Sequence, residues 1–261
     1  MRNGIGCLLL NFILAVVSAG QPLQTEEAEP PHLIQTVTEQ DIYEGLIWLG
    51  ALETAVSEEK DCEKAYGNVK GSVVLLHMED IYGSGVIWDL TPDYVIIASS
   101  RHVLEYWEET SGYVRFSQGY FTPGKILYIS QEYDVAFLAV DNTEFTYRQL
   151  EEMRYVHRDI SLYQTLQAGD EMFSVGADVE NTEVPLYYKG SIADAWMYIE
   201  DFGEYMIYGY GQAEPGMSGG GVFDAKGNLI GLLTGATPDG ETAALPLPVI
   251  MEAYESARGG L

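Results

Sequence analysis

The sequence predicts an all-β protein built of antiparallel strands, with a helix near each end of the folded part. Two observations carry that fold class. Short apolar runs, such as Ser72-Val-Val-Leu-Leu-His-Met78, Tyr94-Val-Ile-Ile-Ala98 and Val135-Ala-Phe-Leu-Ala-Val140, alternate with turn signals at Thr91-Pro-Asp93, Thr122-Pro-Gly124 and Asp224-Ala-Lys-Gly-Asn228. Strands also appear on both sides of a polar connection near residues 141–168, which divides them into two β units, each a barrel or a sandwich. A further run, Gly85-Val-Ile-Trp88, completes the first group. Segments 183–190, 205–210, 220–223, 229–233 and 242–247 form the second.

The elements before the strands follow in order. Residues 1–19 read as an export signal: Arg2 precedes an apolar run from Ile5 to Val17, and Val17-Ser-Ala19 offers the small residues of a cleavage site. Retention of the same segment as an N-terminal membrane anchor is the alternative. Residues 20–40 are rich in Pro, Glu, Gln and Thr and read as a flexible spacer. Residues 41–67 hold a helix and a connection, with Asp41 as the expected cap and Ile42, Leu46, Leu49, Leu52 and Val56 near helical spacing. A second helix is expected from Pro248 to about Ala257, after the last strand.

Composition narrows the partners. Thirteen basic residues against forty acidic ones give a net charge of −27, which argues against nucleic acid as partner. The charge serves solubility in an exposed compartment, or draws in basic peptides. Cys7 lies in the leader, so Cys62 stands alone in the mature chain and no internal disulfide is expected. No His/Cys/Asp group has the spacing of a metal site, and no cofactor is called for.

Chemistry is concentrated at Gly216-Met-Ser-Gly-Gly220. A serine between glycines suits a hydroxyl on a tight turn whose backbone amides face a ligand, because glycine adopts φ > 0 and carries no Cβ. An ordinary glycine-rich hairpin turn would read the same way. A nucleophile would need a base. Of four histidines, His32 lies in the spacer, His77 alternates within an apolar strand, and His157 sits in the charged stretch 151–158, expected to be solvated. His102 follows the strand Tyr94–Ala98 and is the best placed. For the orienting acid, Asp134 begins an apolar run, whereas most of the other acids lie in polar surroundings. A strand-start aspartate that caps a turn is the competing reading.

Taken together these residues resemble the chymotrypsin-like serine peptidases, in particular the HtrA (Deg) type of trypsin-like domain. The resemblance rests on Gly83-Ser-Gly-Val-Ile87 with Ile96-Ile-Ala-Ser-Ser-Arg-His-Val103, on Tyr133-Asp-Val-Ala-Phe-Leu-Ala-Val140, on Ala213 to Gly231, and on Ala243-Ala-Leu-Pro-Leu-Pro248. His102, Asp134 and Ser218 stand in the family's order, and the likeness covers roughly residues 68–257. It implies two six-stranded antiparallel β-barrels of the chymotrypsin type in a domain over 68–261, with protein or peptide substrates. It also implies His102 as base, Asp134 as its orienting acid and Ser218 as nucleophile. The oxyanion hole would be lined at Gly216, Met217 and Ser218, and the substrate pocket by Gln212, Thr234 and Gly235. The sequence departs from the family at Met217, where Asn or Asp is frequent, and it carries no Ile-Val-Gly-Gly activation terminus and no PDZ module after the closing helix. An exported serine endopeptidase is the expectation. A peptidase-like fold that only binds proteins is the alternative.

Overall fold

The computed structural model describes residues 36–79, 81–179 and 184–260. The leader, Cys7 and His32 lie outside the described residues, and so does most of the spacer.

Helix α1 spans Glu39–Trp48. Asp41 is not its cap. Thr38 caps it, with the Thr38 Oγ1 accepting from the Asp41 N–H at 3.1 Å and the Asp41 carboxylate accepting from the Thr38 N–H at 2.8 Å. Such a reciprocal cap stabilises a helix by about 1 kcal/mol. The helix stops well short of Val56, because the chain turns at Gly50, whose φ is +65°. Of the expected apolar stripe Leu52 is buried, whereas Ile42 and Leu49 are exposed, and the residue that α1 itself buries is Tyr43. A second helix, α2 (Cys62–Val69), occupies the end of the stretch that the sequence reads as connection. Asp61 caps it by accepting from the Glu63 and Lys64 N–H groups.

The first β unit comprises β1 (Val73–Met78), β2 (Ile81–Leu90), β3 (Tyr94–Ser99), β4 (Tyr113–Arg115), β5 (Phe121–Thr122), β6 (Lys125–Ile129) and β7 (Ala136–Asp141). A helical turn, α3 (Arg101–Leu104), leaves the end of β3. These strands form one seven-stranded antiparallel sheet in the order β5-β4-β1-β2-β3-β7-β6. The connection then carries α4 (Tyr147–Glu152) and α5 (Ile160–Tyr163). The second unit holds β8 (Glu171–Gly176), β9 (Leu186–Ile199), β10 (Glu204–Tyr210), β11 (Gly221–Asp224), β12 (Leu229–Ala236) and β13 (Glu241–Pro246). They close into a barrel in the order β10-β13-β12-β11-β8-β9. The helix α6 (Leu247–Ala257) ends the chain's regular structure, with Pro248 in its first turn.

The second unit closes as expected of a six-stranded barrel, while the first curls with β5 and β6 as its two edges. Its central strands have two buried faces. Along β3, Val95 and Ile97 enter one core and Ile96 and Ala98 the other; along β7, Ala136 and Leu138 face the first and Phe137 and Ala139 the second. Burial on both faces is why these strands read as unbroken apolar runs instead of alternating ones. The second core also takes in Trp88, Phe137 and Tyr254 of α6, whose rings lie 5.1–5.9 Å apart. Above them the Arg158 guanidinium stacks on Trp88 at 4.4 Å and donates to the Trp88 carbonyl. The seam between sheet and barrel is therefore packed, and the candidate site lies along it.

Candidate active site

The first half of the site comes from the end of β3 and the start of β7. Ser99 is the last residue of β3 and pairs with Ala136 of β7, which places the α3 turn beside the segment that precedes β7. Asp134, buried, spends both carboxylate oxygens on His102. Oδ1 accepts from the His102 backbone N–H at 2.9 Å, and Oδ2 lies 2.8 Å from Nδ1 of the ring. The aspartate therefore fixes both the backbone and the imidazole of one residue, and with Asp134 ionised the ring carries its proton on Nδ1, leaving Nε2 free to accept. The hydrogen bond to Asp134 raises the His102 pKa, against a smaller opposing effect of burial. Burial works to raise Asp134, but the bonds and charge of His102 outweigh it and hold the carboxyl below its ordinary range. The His102 side chain remains 44% exposed, so its free edge is open to a reactant.

The serine loop comes from between β10 and β11. Glu214 to Met217 make a turn closed by the Met217 N–H on the Glu214 carbonyl at 3.1 Å, with Pro215 and then Gly216 at its centre. Gly216 has φ +95°, the signature of a type II turn, and a Cβ there would also stand 2.7 Å from Val179. Met217 is fully buried, and its thioether accepts from the Glu214 N–H at 3.3 Å. Beyond Ser218, Gly219 has φ +82°, and a Cβ on it would lie 2.2 Å from Ser99 Oγ and 2.9 Å from Ser100 N. The serine loop thus closes onto the strand end that leads to His102.

Ser84 of β2 anchors this loop. Its N–H donates to the Ser218 carbonyl at 2.8 Å and its hydroxyl to the Gly216 carbonyl at 2.6 Å, while its Oγ accepts from the Ala177 N–H at 2.8 Å. Both carbonyls are thereby tied back to β2. The Leu233 carbonyl of β12 adds a second tie, accepting from the Gly219 N–H at 2.8 Å and the Ser100 hydroxyl at 3.4 Å. Beside Ser218 opens a cavity of about 310 Å³, lined by Ala213, Glu214, Pro215, Ser218, Leu233, Gly235 and Ala236. A partly buried serine at the edge of a cleft, with an oriented imidazole beyond the neighbouring strand end, is an arrangement suited to acyl transfer.

A family model described as "Trypsin-like peptidase domain" matches residues 83–232. The chain belongs to that family. The trypsin-like match spans all three of His102, Asp134 and Ser218. Among solved structures this trypsin-like chain is similar to the HtrA-type protease AlgW with a tripeptide, at TM-score 0.64 and 21% identity over 77% of this chain and 65% of that one. It is also similar to AlgW with a decapeptide, at TM-score 0.63 and 18% identity, covering 76% of this chain and 68% of that one. The serine endoprotease from Yersinia pestis follows at TM-score 0.60 and 19% identity, covering 76% and 66%. The likeness shows a shared fold, and the chain spans about two thirds of those chains' lengths. No curated protein sequence matches it.

Of the residues named for the substrate pocket of this trypsin-like domain, Gly235 lines the cavity. Gln212 is exposed and Thr234 is buried, with its hydroxyl 3.5 Å from the Leu232 carbonyl, and neither is among the lining residues. The charged group at the mouth is Glu214, which accepts a hydrogen bond from the Tyr188 hydroxyl. Of the other histidines, His77 is held between the rings of Tyr82 and Tyr113, at 4.3 and 4.5 Å. His157 is not solvated as expected: it is partly buried and pairs with Glu53 at 3.2 Å. Cys62 is buried and free. Among the described residues no group of His, Cys, Asp and Glu could hold a metal, and no helix is long and apolar enough to cross a membrane. Sequence reasoning missed the anchoring role of Ser84. Its only signal was a small polar residue between Gly83 and Gly85 in an otherwise apolar strand.

Proposed function

We propose that the protein is an exported serine endopeptidase that cleaves peptide bonds through His102, Asp134 and Ser218. The observation that carries this reading is the pair of contacts from Asp134 to one residue, His102, at 2.9 and 2.8 Å, on the strand end against which the Ser218 loop packs. In the proposed reaction Ser218 Oγ attacks the peptide carbonyl carbon, and its proton passes to His102 Nε2. The tetrahedral oxyanion is met by the N–H groups of Gly216 and Ser218. The imidazolium returns the proton to the leaving amine, and water attacks the acyl-enzyme by the same route in reverse. Asp134 stays ionised throughout and stabilises the imidazolium. The type II turn at Gly216 supports the oxyanion role, since a side chain there would be strained and would collide with Val179. Peptide substrates agree with the peptide-bound AlgW structures that the chain resembles.

A fluorophosphonate probe tests the chemistry. The wild-type protein should be labelled at one site and Ser218→Ala should not. Folded wild-type protein that resists the probe would leave the alternative, a peptidase-like module that only binds. Export is tested separately, by N-terminal sequencing of protein recovered from outside the cytoplasm, which should begin at Gly20.

A further inference from the structure

The cavity beside Ser218 does not end at β12. Gly235 and Ala236 also line a second hollow of about 250 Å³, whose other walls come from the β9–β10 hairpin and the start of β13. The turn that closes the hairpin is fixed by the Phe202 and Gly203 N–H groups, which both donate to the Ile199 carbonyl. It carries the Phe202 ring over Gly235, where an added Cβ would stand 3.2 Å from the ring edge. Ile199, Phe202 and Ala243 give the hollow apolar sides, and Asp201, Tyr208 and Glu241 give it polar ones. Asp201 is exposed and Glu241 half-buried, and the Tyr208 phenol donates to one oxygen of Glu241 at 2.5 Å. Among the described residues no lysine, arginine or histidine pairs with Asp201 or Glu241. Thr242, also in the wall, is buried, and its hydroxyl has no partner among the described residues.

We propose that this second hollow is a substrate subsite that takes a lysine or arginine side chain of a bound peptide. A long side chain with a cationic end matches both kinds of wall. Its methylene stem suits Ile199, Phe202 and Ala243, and its charge suits Asp201 and Glu241. Aromatic rings such as those of Phe202 and Tyr208 attract a cation as well. An acidic side chain would meet two like charges, and an apolar one would gain nothing from the carboxylates. The Ser218 cavity differs: its walls include Ala213, Pro215 and Leu233, and its one carboxylate, Glu214, is already engaged by Tyr188. The two hollows meet at adjacent residues of β12. One extended peptide, at about 3.3 Å per residue, therefore fills both, with its basic residue within about four positions of the bond over Ser218. The net charge of −27 draws basic peptides towards the protein as a whole, and this hollow gives that attraction a place.

The catalytic use of this subsite rests on the function proposed above, but binding in it does not, so the test begins with the full chain carrying Ser218→Ala. Fluorescent peptides of alanine and leucine, each with one lysine or its uncharged analogue norleucine at a scanned position, are titrated by anisotropy. At one position the lysine peptide should bind about fivefold tighter, or more, than the norleucine peptide. Adding Asp201→Asn and Glu241→Gln together should bring the two peptides to within about twofold of each other. Glu58→Gln with Glu59→Gln removes as many charges from an exposed stretch outside the hollow and should keep the preference. Asp201→Asn alone, at an exposed turn position, should about halve the preference and reads the charge if the double variant does not fold. Equal binding of the lysine and norleucine peptides at every position, or no binding of either, would overturn the proposal. So would a preference left whole by the carboxylate variants, or one lost equally in Glu58→Gln/Glu59→Gln. Wild-type protein should cleave the lysine peptide faster in the same ratio. If it cleaves no peptide and takes no fluorophosphonate while Ser218→Ala keeps the lysine preference, the peptidase reading fails and the subsite stands.

Discussion

The packing of the Ser218 loop on β2 and β3 makes a quantitative prediction for Gly219→Ala. Two costs add at this position. A non-glycine residue at φ +82° costs about 1–2 kcal/mol in backbone strain. The new Cβ would also lie 2.2 Å from Ser99 Oγ, 2.3 Å from the Ser84 carbonyl and 2.9 Å from Ser100 N. Two of these three neighbours are backbone, so a rotamer change cannot relieve the clash. Ser99 must give up its 2.6 Å hydrogen bond to Ser84, worth about 1 kcal/mol, and overpacking adds about 1–3 kcal/mol. The total is about 3–6 kcal/mol, a large part of the stability of an ordinary domain. Gly119→Ala is the matched control: its φ is +88°, yet nothing lies within 4 Å of the added Cβ, so only the strain cost of about 1–2 kcal/mol applies. Urea unfolding followed by tryptophan fluorescence reads both. Gly219→Ala should lower the midpoint by about 1–3 M, several times the effect of Gly119→Ala. Because the loop can escape only by moving away from β3, folded Gly219→Ala should also react with a fluorophosphonate at least tenfold more slowly. Equal midpoints for the two alanine variants would refute the close approach of the loop to Ser84 and Ser99.

Two further outcomes follow from the His102–Asp134 pair. Asp134→Asn can still accept the His102 backbone N–H through its oxygen, but it then turns its NH₂ towards Nδ1 and drives the ring proton to Nε2. The labelling rate should fall by about 10⁴ with the fold intact by circular dichroism. The stability the pair contributes should also follow pH with a defined sign. The His102 contribution is complete below its ordinary value of 6.5 and is lost as the pH rises through the raised value in the fold. The Asp134 contribution is present above its ordinary 3.8 and is lost as the pH falls through its lowered value. The difference in unfolding midpoint between wild type and His102→Gln should therefore be largest near pH 5.5, roughly, and shrink towards about pH 9.

Much of the fold was legible because its central strands are buried on both faces. Val95-Ile-Ile-Ala98 and Ala136-Phe-Leu-Ala-Val140 have no polar face to confuse the pattern. The short strands β4, β5 and β6 were not legible. They are edge or near-edge pieces with mixed, half-exposed residues, and Tyr113-Val-Arg115 or Phe121-Thr122 carries too few residues for a period. The start of α1 was misplaced because Asp41 sits at the third helical position, where it completes the Thr38 cap, instead of at the cap itself. His102, Asp134 and Ser218 could be picked out as candidates because each lies in a local context that its neighbours define, and the structure brings His102 and Asp134 into contact. Ser84 could not, because what it does depends on a partner 132 residues away.

That division has a physical cause, visible at Ser84. Every polar function of this residue is satisfied by a different part of the chain: its N–H by Ser218, its hydroxyl proton by Gly216, its Oγ lone pair by Ala177, and its carbonyl by the Ser99 hydroxyl. The residue is fully buried, so each of these bonds forms away from water, where an unmade one would cost about 1–3 kcal/mol. Alanine at this position would orphan the Ala177 N–H and the Gly216 carbonyl together, and the Gly216 peptide would lose the tie that holds the type II turn. The geometry of the Ser218 loop is therefore not a property of the glycine-rich sequence alone. The loop sequence permits the turn, and one buried serine in the neighbouring sheet selects it, which ties the position of Ser218 to the packing of barrel against sheet.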